Sequence, residues 1–264
     1  MSTNLLINYS IATHKGTREI NEDASWVGSN KNKQWLIIVC DGIGSQDDSQ
    51  IASLITVEVF KERFSKRTKI FNIDRFFKKC LKIAHRKITR ISNKQLNNKK
   101  IGTTLVLSFI NGNKVTTFNL GDSRLYHYSF DTNTWTMITR DHNLYNYFSD
   151  LAEKDKTVNI NELCVRHRSQ LFALTKCLES GSDVHHEYDK FVFKIASGDV
   201  LFQATDGVYY FLKLADVSNA IEKNSNNFEG IAKNLIQLAL ANKSNDNLTC
   251  VVVEAIDGNS NKQN

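Results

Sequence analysis

Four aspartates stand at the ends of strand-like segments, and this repeated placement constrains the fold more than any other feature of the sequence. They occur in Asp41-Gly42, Gly121-Asp122, Asp206-Gly207 and Asp246-Asn247. Each pair taken alone is a common turn signal. A carboxylate at the end of a buried strand is costly unless its charge is compensated. If the strand ends converge, these oxygens would form a site for hard divalent cations.

The hydrophobic patterns predict an α+β layered domain. Strands are predicted at Leu5–Ala12, Ala24–Val27, Trp35–Cys40, Thr103–Ile110, Lys114–Asn119, Arg124–Phe130, Trp135–Ile138, Phe191–Ile195, Val200–Ala204 and Leu248–Glu254. Helices are predicted at Ile51–Phe64, Ile73–Ile91 and Phe228–Ala241. Because hairpins follow one another and the helices are grouped, alternating βαβ units are not expected. We predict one domain over residues 1–256, with a mobile, partly helical insertion at 143–168 and a flexible tail at 257–264.

Composition narrows the class of protein further. The chain has 264 residues, a net charge of +6 and 41% hydrophobic residues, which excludes global disorder. Its longest apolar run, Trp35–Cys40, is too short to insert into a membrane, and residues 1–10 do not resemble a signal peptide. The 5 cysteines form no C-x-x-C pair, which argues against a zinc site or disulfides and favours the cytoplasm. The mild positive charge favours a phosphorylated partner over nucleic acid.

Eight segments together resemble the metal-dependent type 2C protein phosphatases, in that family's order and over nearly the whole chain. They are Arg18–Ala24 (REINEDA), Val39–Ser45 (VCDGIGS), Gly102–Thr104 (GTT), Asn119–Tyr126 (NLGDSRLY), Thr139–Leu144 (TRDHNL), Leu174–Leu178 (LTKCL), Gly198–Val208 (GDVLFQATDGV) and Asn245–Thr249 (NDNLT). Singly each motif is weak, but the ordered set is specific.

The resemblance implies a four-layer α-β-β-α sandwich of two antiparallel sheets flanked by helix pairs. It also implies two or three Mn²⁺ or Mg²⁺ ions at one end, with a water activated between two of them as the nucleophile. The resemblance also implies a role for each matching residue. Asp41 would be the catalytic ligand that bridges two ions, Gly42 would bind one of them through its carbonyl, and Asp206 and Asp246 would bind the other. Glu22 and Asp23 would lie near the metals, Asp122 would lie at a third metal, and Arg18 would be the catalytic side chain that binds the phosphate.

Two functions remain open at this stage. The first is a Ser/Thr phosphoprotein phosphatase, monomeric and cytoplasmic, acting on phosphorylated proteins and opposing a Ser/Thr kinase. The second is a catalytically silent, phosphatase-like module that binds phosphoproteins, and the intact acidic set argues against it. A haloacid-dehalogenase-like mechanism needs the motif D-x-D, but Ile43 occupies the position of its second aspartate, so this mechanism is rejected. Ile43 also departs from the family members that carry a proton-donating His there.

Several other polar residues are interpreted as structural. Arg124 is expected in an ion pair, and His142 in a hydrogen-bonded structural position. Cys40 and Cys250 lie in predicted core strands and are interpreted as small buried hydrophobes. The Lys and Arg stripe of the helix Ile73–Ile91 is interpreted as a solvated face.

Overall fold

The computed structural model describes residues 5–44, 48–181, 187–224 and 227–258. Of Ser49, it describes the backbone only. Its strands are β1 (Leu5–His14), β2 (Ala24–Ser29), β3 (Trp35–Cys40), β4 (Gly42–Gly44), β5 (Ile101–Thr103), β6 (Leu105–Asn111), β7 (Lys114–Leu120), β8 (Arg124–Ser129), β9 (Thr134–Met137), β10 (Leu178–Glu179), β11 (Asp189–Lys194), β12 (Val200–Ala204) and β13 (Leu248–Asp257). Its α-helices are α1 (Ser49–Ser65), α2 (Ile73–Gln95), α3 (Leu144–Lys154), α4 (Ile160–Arg166), α5 (Asp206–Tyr209), α6 (Leu214–Lys223) and α7 (Ile231–Ala241).

Two antiparallel sheets form the centre of the fold. The first has the strand order β1-β13-β12-β8-β9, and the second has the order β11-β7-β6-β3-β2. A small third sheet, β10-β5-β4, lies beside α1, which contacts β4 and β5. Every strand pairing in the described residues is antiparallel, as the hairpin-rich sequence predicts.

The alternating directions of side chains along β3 explain why its sequence is apolar throughout. Leu36, Ile38 and Cys40 pack into a core shared with α1 and α2. Ile37 and Val39 point the other way, into a core between the two large sheets. A strand that is buried on both faces has no solvent-facing positions, so its sequence does not alternate.

The first sheet repeats this arrangement on the opposite side of the molecule. Phe202 and Val252 pack with α6 and α7, while Leu201 and Val251 pack against the second sheet. The order of layers is therefore helix pair, sheet, sheet, helix pair. This confirms the predicted α-β-β-α sandwich.

The structure corrects several predicted boundaries. The predicted strand Thr103–Ile110 is broken at Thr104, where the chain leaves the small sheet and enters the second one. The predicted helix Phe228–Ala241 begins as a 3₁₀ turn and becomes α-helical only at Ile231. β13 continues through Asp257, one residue beyond the predicted end of the domain. The remainder of the predicted tail, from residue 259, lies outside the described residues.

Among the described residues, the helices are all too short or too polar to cross a bilayer.

Candidate functional site

Acidic residues from both large sheets lie near one another at one end of the sandwich. Asp41 and Asp122 follow strands of the second sheet, β3 and β7, and Asp23 directly precedes its strand β2. Asp206 follows β12 of the first sheet, and Asp246 lies just before β13. Burial raises the pKa of Asp41, and the charges of the other four aspartates raise it further. The structure therefore gathers the strand-terminal acids that the sequence singles out.

Burial and mutual repulsion shift the other carboxyl groups in the same direction. The pKa of Asp23 rises to about 7, mainly through burial and partly through the charges of Asp206 and Asp246. The pKa of Asp122 also rises to about 7, through burial and then the charge of Asp206. Burial and the charge of Asp246 raise the pKa of Asp206. The ionised cluster is thus electrostatically unfavourable by itself.

A divalent cation fits the chemistry of this cluster. Asp23 Oδ1 is buried and has no hydrogen-bond partner among the described residues, which leaves a carboxylate oxygen free to ligate. Carboxylate oxygens are the ligands that Mg²⁺ and Mn²⁺ prefer. Within the described residues, no three His, Cys, Asp or Glu side chains already stand at metal-ligating positions.

Two threonines at the junction of β5 and β6 hold the peptide groups of Asp41. The Asp41 amide donates to Thr104 Oγ1 (2.9 Å), and the Asp41 carbonyl accepts from the Thr104 amide (2.8 Å) and from Thr103 Oγ1 (2.9 Å). The Gly42 amide donates to the Glu22 carbonyl (3.2 Å), which joins the two predicted metal-binding segments. The Gly-Thr-Thr motif therefore positions Asp41 through the main chain.

Asn247 connects the N-terminal loop to the loop before β13. Its side-chain oxygen accepts from the Glu22 amide (2.9 Å), and its side-chain nitrogen donates to the carbonyls of Lys15 (3.0 Å) and Ile20 (2.8 Å). A Cβ on Gly207 would stand 2.0 Å from the Asn247 carbonyl oxygen, so only glycine allows this close approach. In the sequence, Asn247 stands out only through the Asp246-Asn247 turn and the family-like segment Asn245–Thr249, and neither predicts these contacts.

Thr205 also contributes to the site, through a contact that its sequence does not predict. Its hydroxyl donates to Asp23 Oδ2 (2.9 Å), and this contact joins the end of β12 to the start of β2. Thr205 precedes Asp206 in the segment Gly198–Val208, one of the eight that resemble the family, and only Asp206 of that segment carries a predicted role. The signal that could have predicted this contact is the position of Thr205, a hydroxyl-bearing residue between a predicted buried strand and an aspartate.

Arg18 lies at the rim of the cluster. Its Nη2 is 2.8 Å from Asp246 Oδ2, and its Nε donates to the Asn245 carbonyl (3.4 Å). The side chain is 52% exposed, which leaves part of the guanidinium open to an anion from solvent. The arrangement places a cationic fork directly beside the acidic cluster.

The interpretation of Arg124 and His142 as structural agrees with their contacts. Arg124 forms a two-pronged pair with Asp141 (2.9 and 2.7 Å), and its guanidinium carbon lies 3.9 Å from the centre of the Tyr209 ring. His142 Nδ1 accepts from the Gly121 amide (3.0 Å). These groups brace the loop that presents Asp122.

Cys40 and Cys250 are buried, as expected. Ser45 of the Asp41 motif lies outside the described residues.

Comparison with known proteins identifies the family. The family model described as protein phosphatase 2C matches residues 12–252. The serine/threonine phosphatase stp of Listeria innocua is 26% identical over 240 residues, covering 90% of this chain and 91% of its own. The crystal structure of serine/threonine phosphatase Stp1 from Staphylococcus aureus superposes with a TM-score of 0.78 at 26% identity, covering 96% and 97%.

The catalytic domain of serine threonine protein phosphatase PstP, solved in complex with 2 manganese ions, has the same fold. It matches with a TM-score of 0.75 at 20% identity, covering 96% of this chain and 100% of that one. The family match runs from the end of β1 into β13 and includes the whole acidic cluster. The chain belongs to the protein phosphatase 2C family.

Proposed function

We propose that this protein hydrolyses phosphoserine and phosphothreonine in other proteins with the help of bound divalent metal ions. The observation that carries the proposal is the gathering of aspartates from both sheets beside an exposed arginine. The Listeria and Staphylococcus relatives, which are named serine/threonine phosphatases, support the same activity. The intact acidic set favours an active enzyme over a silent phosphoprotein-binding module.

The acidic residues divide into three proposed groups. Asp41, Gly42, Asp206 and Asp246 would bind two metal ions, Glu22 and Asp23 would support them from nearby, and Asp122 would contribute to a third. Manganese is supported by the ions in PstP, and magnesium suits the same oxygen ligands. When bound, such ions lower the pKa of water and neutralise charge on a transferring phosphoryl group.

Arg18 would orient the substrate phosphate. Its planar guanidinium can donate two parallel hydrogen bonds to phosphate oxygens, which a lysine cannot do. Binding would exchange its contact with Asp246 for contacts with the phosphate. Ile43 follows Gly42 and has no titratable group, so it does not protonate the leaving oxygen.

The segment 143–168 is proposed to be a flap beside the site. It forms the helix pair α3 and α4, with Asn143 capping α3 by accepting from the Asn146 amide (2.9 Å). The Asn146 side chain donates to the Asp141 carbonyl (2.8 Å), close to the loop of Asp122. This anchoring supports a role in contacting the protein substrate.

The finer assignments of partner and location are also proposals. We propose a cytoplasmic monomer whose substrates are phosphorylated by a Ser/Thr kinase. Sedimentation of the purified protein would show whether a single chain is the active species, and a dimer would contradict that assignment.

Metal removal tests the proposed function. We expect hydrolysis of para-nitrophenyl phosphate in Mn²⁺ or Mg²⁺, and we expect EDTA to abolish it, because the bound ions would supply the activated water that attacks the phosphate. Phosphoserine and phosphothreonine peptides should be cleaved, and phosphotyrosine peptides serve as the comparison. Turnover that is unchanged in EDTA would contradict the mechanism. Phosphopeptide binding without turnover in any divalent ion would instead support the silent module.

Replacement of Arg18 separates substrate binding from metal binding. For Arg18→Ala we expect KM for a phosphothreonine peptide to rise about ten- to a hundred-fold, as for the loss of a charge-assisted hydrogen-bond pair. The affinity for Mn²⁺ should be retained, because Arg18 lies at the rim. Arg86→Ala, at an exposed position of α2, is the matched control and should change neither quantity. Unchanged steady-state kinetics in Arg18→Ala would show that Arg18 does not bind the phosphate.

A further inference from the structure

A groove of about 800 Å³ opens where α1 ends and α2 begins. Its walls come from the last turn of α1, the connecting loop and the first two turns of α2. We call it the basic groove, because six of its lining residues are cationic: Arg63, Lys66, Arg67, Lys69, Arg75 and Lys79. A neighbouring cavity of about 530 Å³ shares Arg75 and Lys79 with it and extends the positive surface along α2.

The positive charge of the basic groove is not balanced by its own surroundings. In the described part of the chain, none of its six cations forms an ion pair. The nearby Asp74 is already paired with Lys190 (2.6 Å). Closely spaced like charges repel one another, so a stretch of this kind gains free energy when it meets an anionic partner.

The same groove also offers apolar surface. Ile70 and Phe76 are buried along its wall, and Phe71 is 88% exposed at its edge. The Lys69 ammonium lies 5.1 Å from the centre of the Phe71 ring. An exposed aromatic ring beside several cations suits a partner that carries both carboxylates and an apolar side chain.

Most of the length of α1 separates the basic groove from the acidic cluster. The N-terminal part of α1 contacts the metal-site loops, since Ser53 Oγ donates to the Glu22 carbonyl, whereas its C-terminal end forms the groove wall. From Ser53 to its last residue, Ser65, the helix rises about 18 Å. An extended peptide needs roughly six residues to cover that distance.

We propose that the basic groove binds an acidic segment of the phosphoprotein substrate, at least about six residues from the phosphorylated side chain. This inference rests on the proposed function, because it adds a second contact for the same substrate. Binding there would raise the effective concentration of the phosphoresidue at the aspartate cluster. A concave site favours a peptide chain over a lipid bilayer, which would need a broad convex face. Apolar walls favour a peptide over a nucleic acid backbone.

A pair of charge-matched double variants tests the groove. Arg67→Ala/Lys79→Ala removes two groove cations, and Lys223→Ala/Lys233→Ala removes two exposed lysines from the opposite helical layer. All four positions are exposed, so both variants should fold, and thermal melting checks this. Two phosphothreonine peptides with the same acidic segment, placed about twelve or about three residues from the phosphothreonine, serve as substrates in Mn²⁺.

We expect the widely spaced peptide to have a KM at least about ten-fold below that of the closely spaced one, with similar kcat. The groove variant should lose this advantage, and the control variant should keep it. Ionic strength near 1 M should abolish it in the unmodified protein, because the Debye length then falls to about 3 Å. Equal KM values for the two peptides in the unmodified protein, or an unchanged preference in the groove variant, would overturn the proposal.

A binding measurement separates this proposal from the proposed function. An unphosphorylated fluorescent acidic peptide should bind the full chain by anisotropy, and the groove variant should weaken that binding at least about ten-fold. If para-nitrophenyl phosphate is not hydrolysed but the peptide binds in this way, the proposed function fails and the groove assignment stands. Hydrolysis without peptide binding would refute the groove alone. Stronger binding to phosphatidylserine vesicles or to an oligonucleotide than to the peptide would also refute it.

Discussion

Asp41→Asn should lower metal-dependent turnover by at least about a thousand-fold, which corresponds to ~4 kcal/mol of transition-state stabilisation. Asp41 is the carboxylate whose pKa is raised by all four neighbouring aspartates, so it stands where their charges overlap. An asparagine keeps the shape of the side chain and removes the charge that a metal ion requires. Initial rates with para-nitrophenyl phosphate at saturating Mn²⁺ measure the effect.

The same substitution should stabilise the metal-free protein. Removing one buried charge relieves repulsion on Asp23 and Asp206, so we expect Asp41→Asn to melt at a higher temperature in EDTA. The increase in melting temperature that Mn²⁺ gives the unmodified protein should disappear. Asp131→Asn, in an exposed turn, is the control and should change neither rate nor melting. A variant that keeps its Mn²⁺ response would show that Asp41 is not a principal ligand.

The stability of the metal-free protein should fall as the pH rises from about 4 to about 7 and then level off. Asp23 and Asp122 have pKa values of about 7 in the folded protein, compared with an ordinary value of 3.8. Between those limits the folded state binds more protons than the unfolded state, so raising the pH favours unfolding. For the buried Asp23 alone, the change is on the order of 4 kcal/mol, a large fraction of the stability of a domain.

Urea unfolding at pH 5 and pH 8 would measure this dependence. In EDTA the free energy of unfolding should be smaller at pH 8, and in Mn²⁺ the difference should shrink or reverse, because the metal binds the ionised carboxylates. An increase in stability from pH 5 to pH 8 in EDTA would contradict the repulsive cluster. The Asp131→Asn variant should show the same pH dependence as the unmodified protein.

The sequence predicts the ends of a strand or turn well where the local residue pattern agrees with the tertiary environment. The strands Trp35–Cys40 and Val200–Ala204 have the predicted ends. The first is apolar throughout, the second is apolar except for Gln203, and an aspartate follows each within two residues. The Asn111-Gly112 turn also forms as predicted, with Gly112 at φ +62. In these cases the sequence next to the strand determines where pairing must stop.

The elements that were missed owe their form to distant contacts. β4 and β5 are three-residue strands that pair with each other, and glycines within them conceal any strand pattern. The break at Thr104 arises because its hydroxyl and amide bind the peptide of Asp41. The sequence does not predict α6, although Leu214 and Val217 have helical spacing, because the helix is short and polar residues interrupt its apolar pattern.

The candidate site also combines residues that the local sequence predicts with residues whose roles depend on distant contacts. Aspartates at strand ends are visible in the sequence because charge there is unusual, and the structure brings them together. The residues that orient them, such as Thr205 and Asn247, are ordinary polar residues whose partners are far away in the sequence. The pairing of Arg18 with Asp246 could not be predicted, since it depends on how the first and last loops meet.

The pairing of β1 with β13 has a consequence for biosynthesis. β1 pairs with β13 from Leu5 opposite Asp257 to His14 opposite Leu248. Of the strands in the described chain, β1 leaves the ribosome first and β13 leaves it last. Contacts between such distant segments form slowly. Until β13 is synthesised, the nascent chain has an open sheet edge, and Asp246 reaches its neighbours only after every other strand has been translated. Metal-dependent activity is thereby tied to the synthesis of β13.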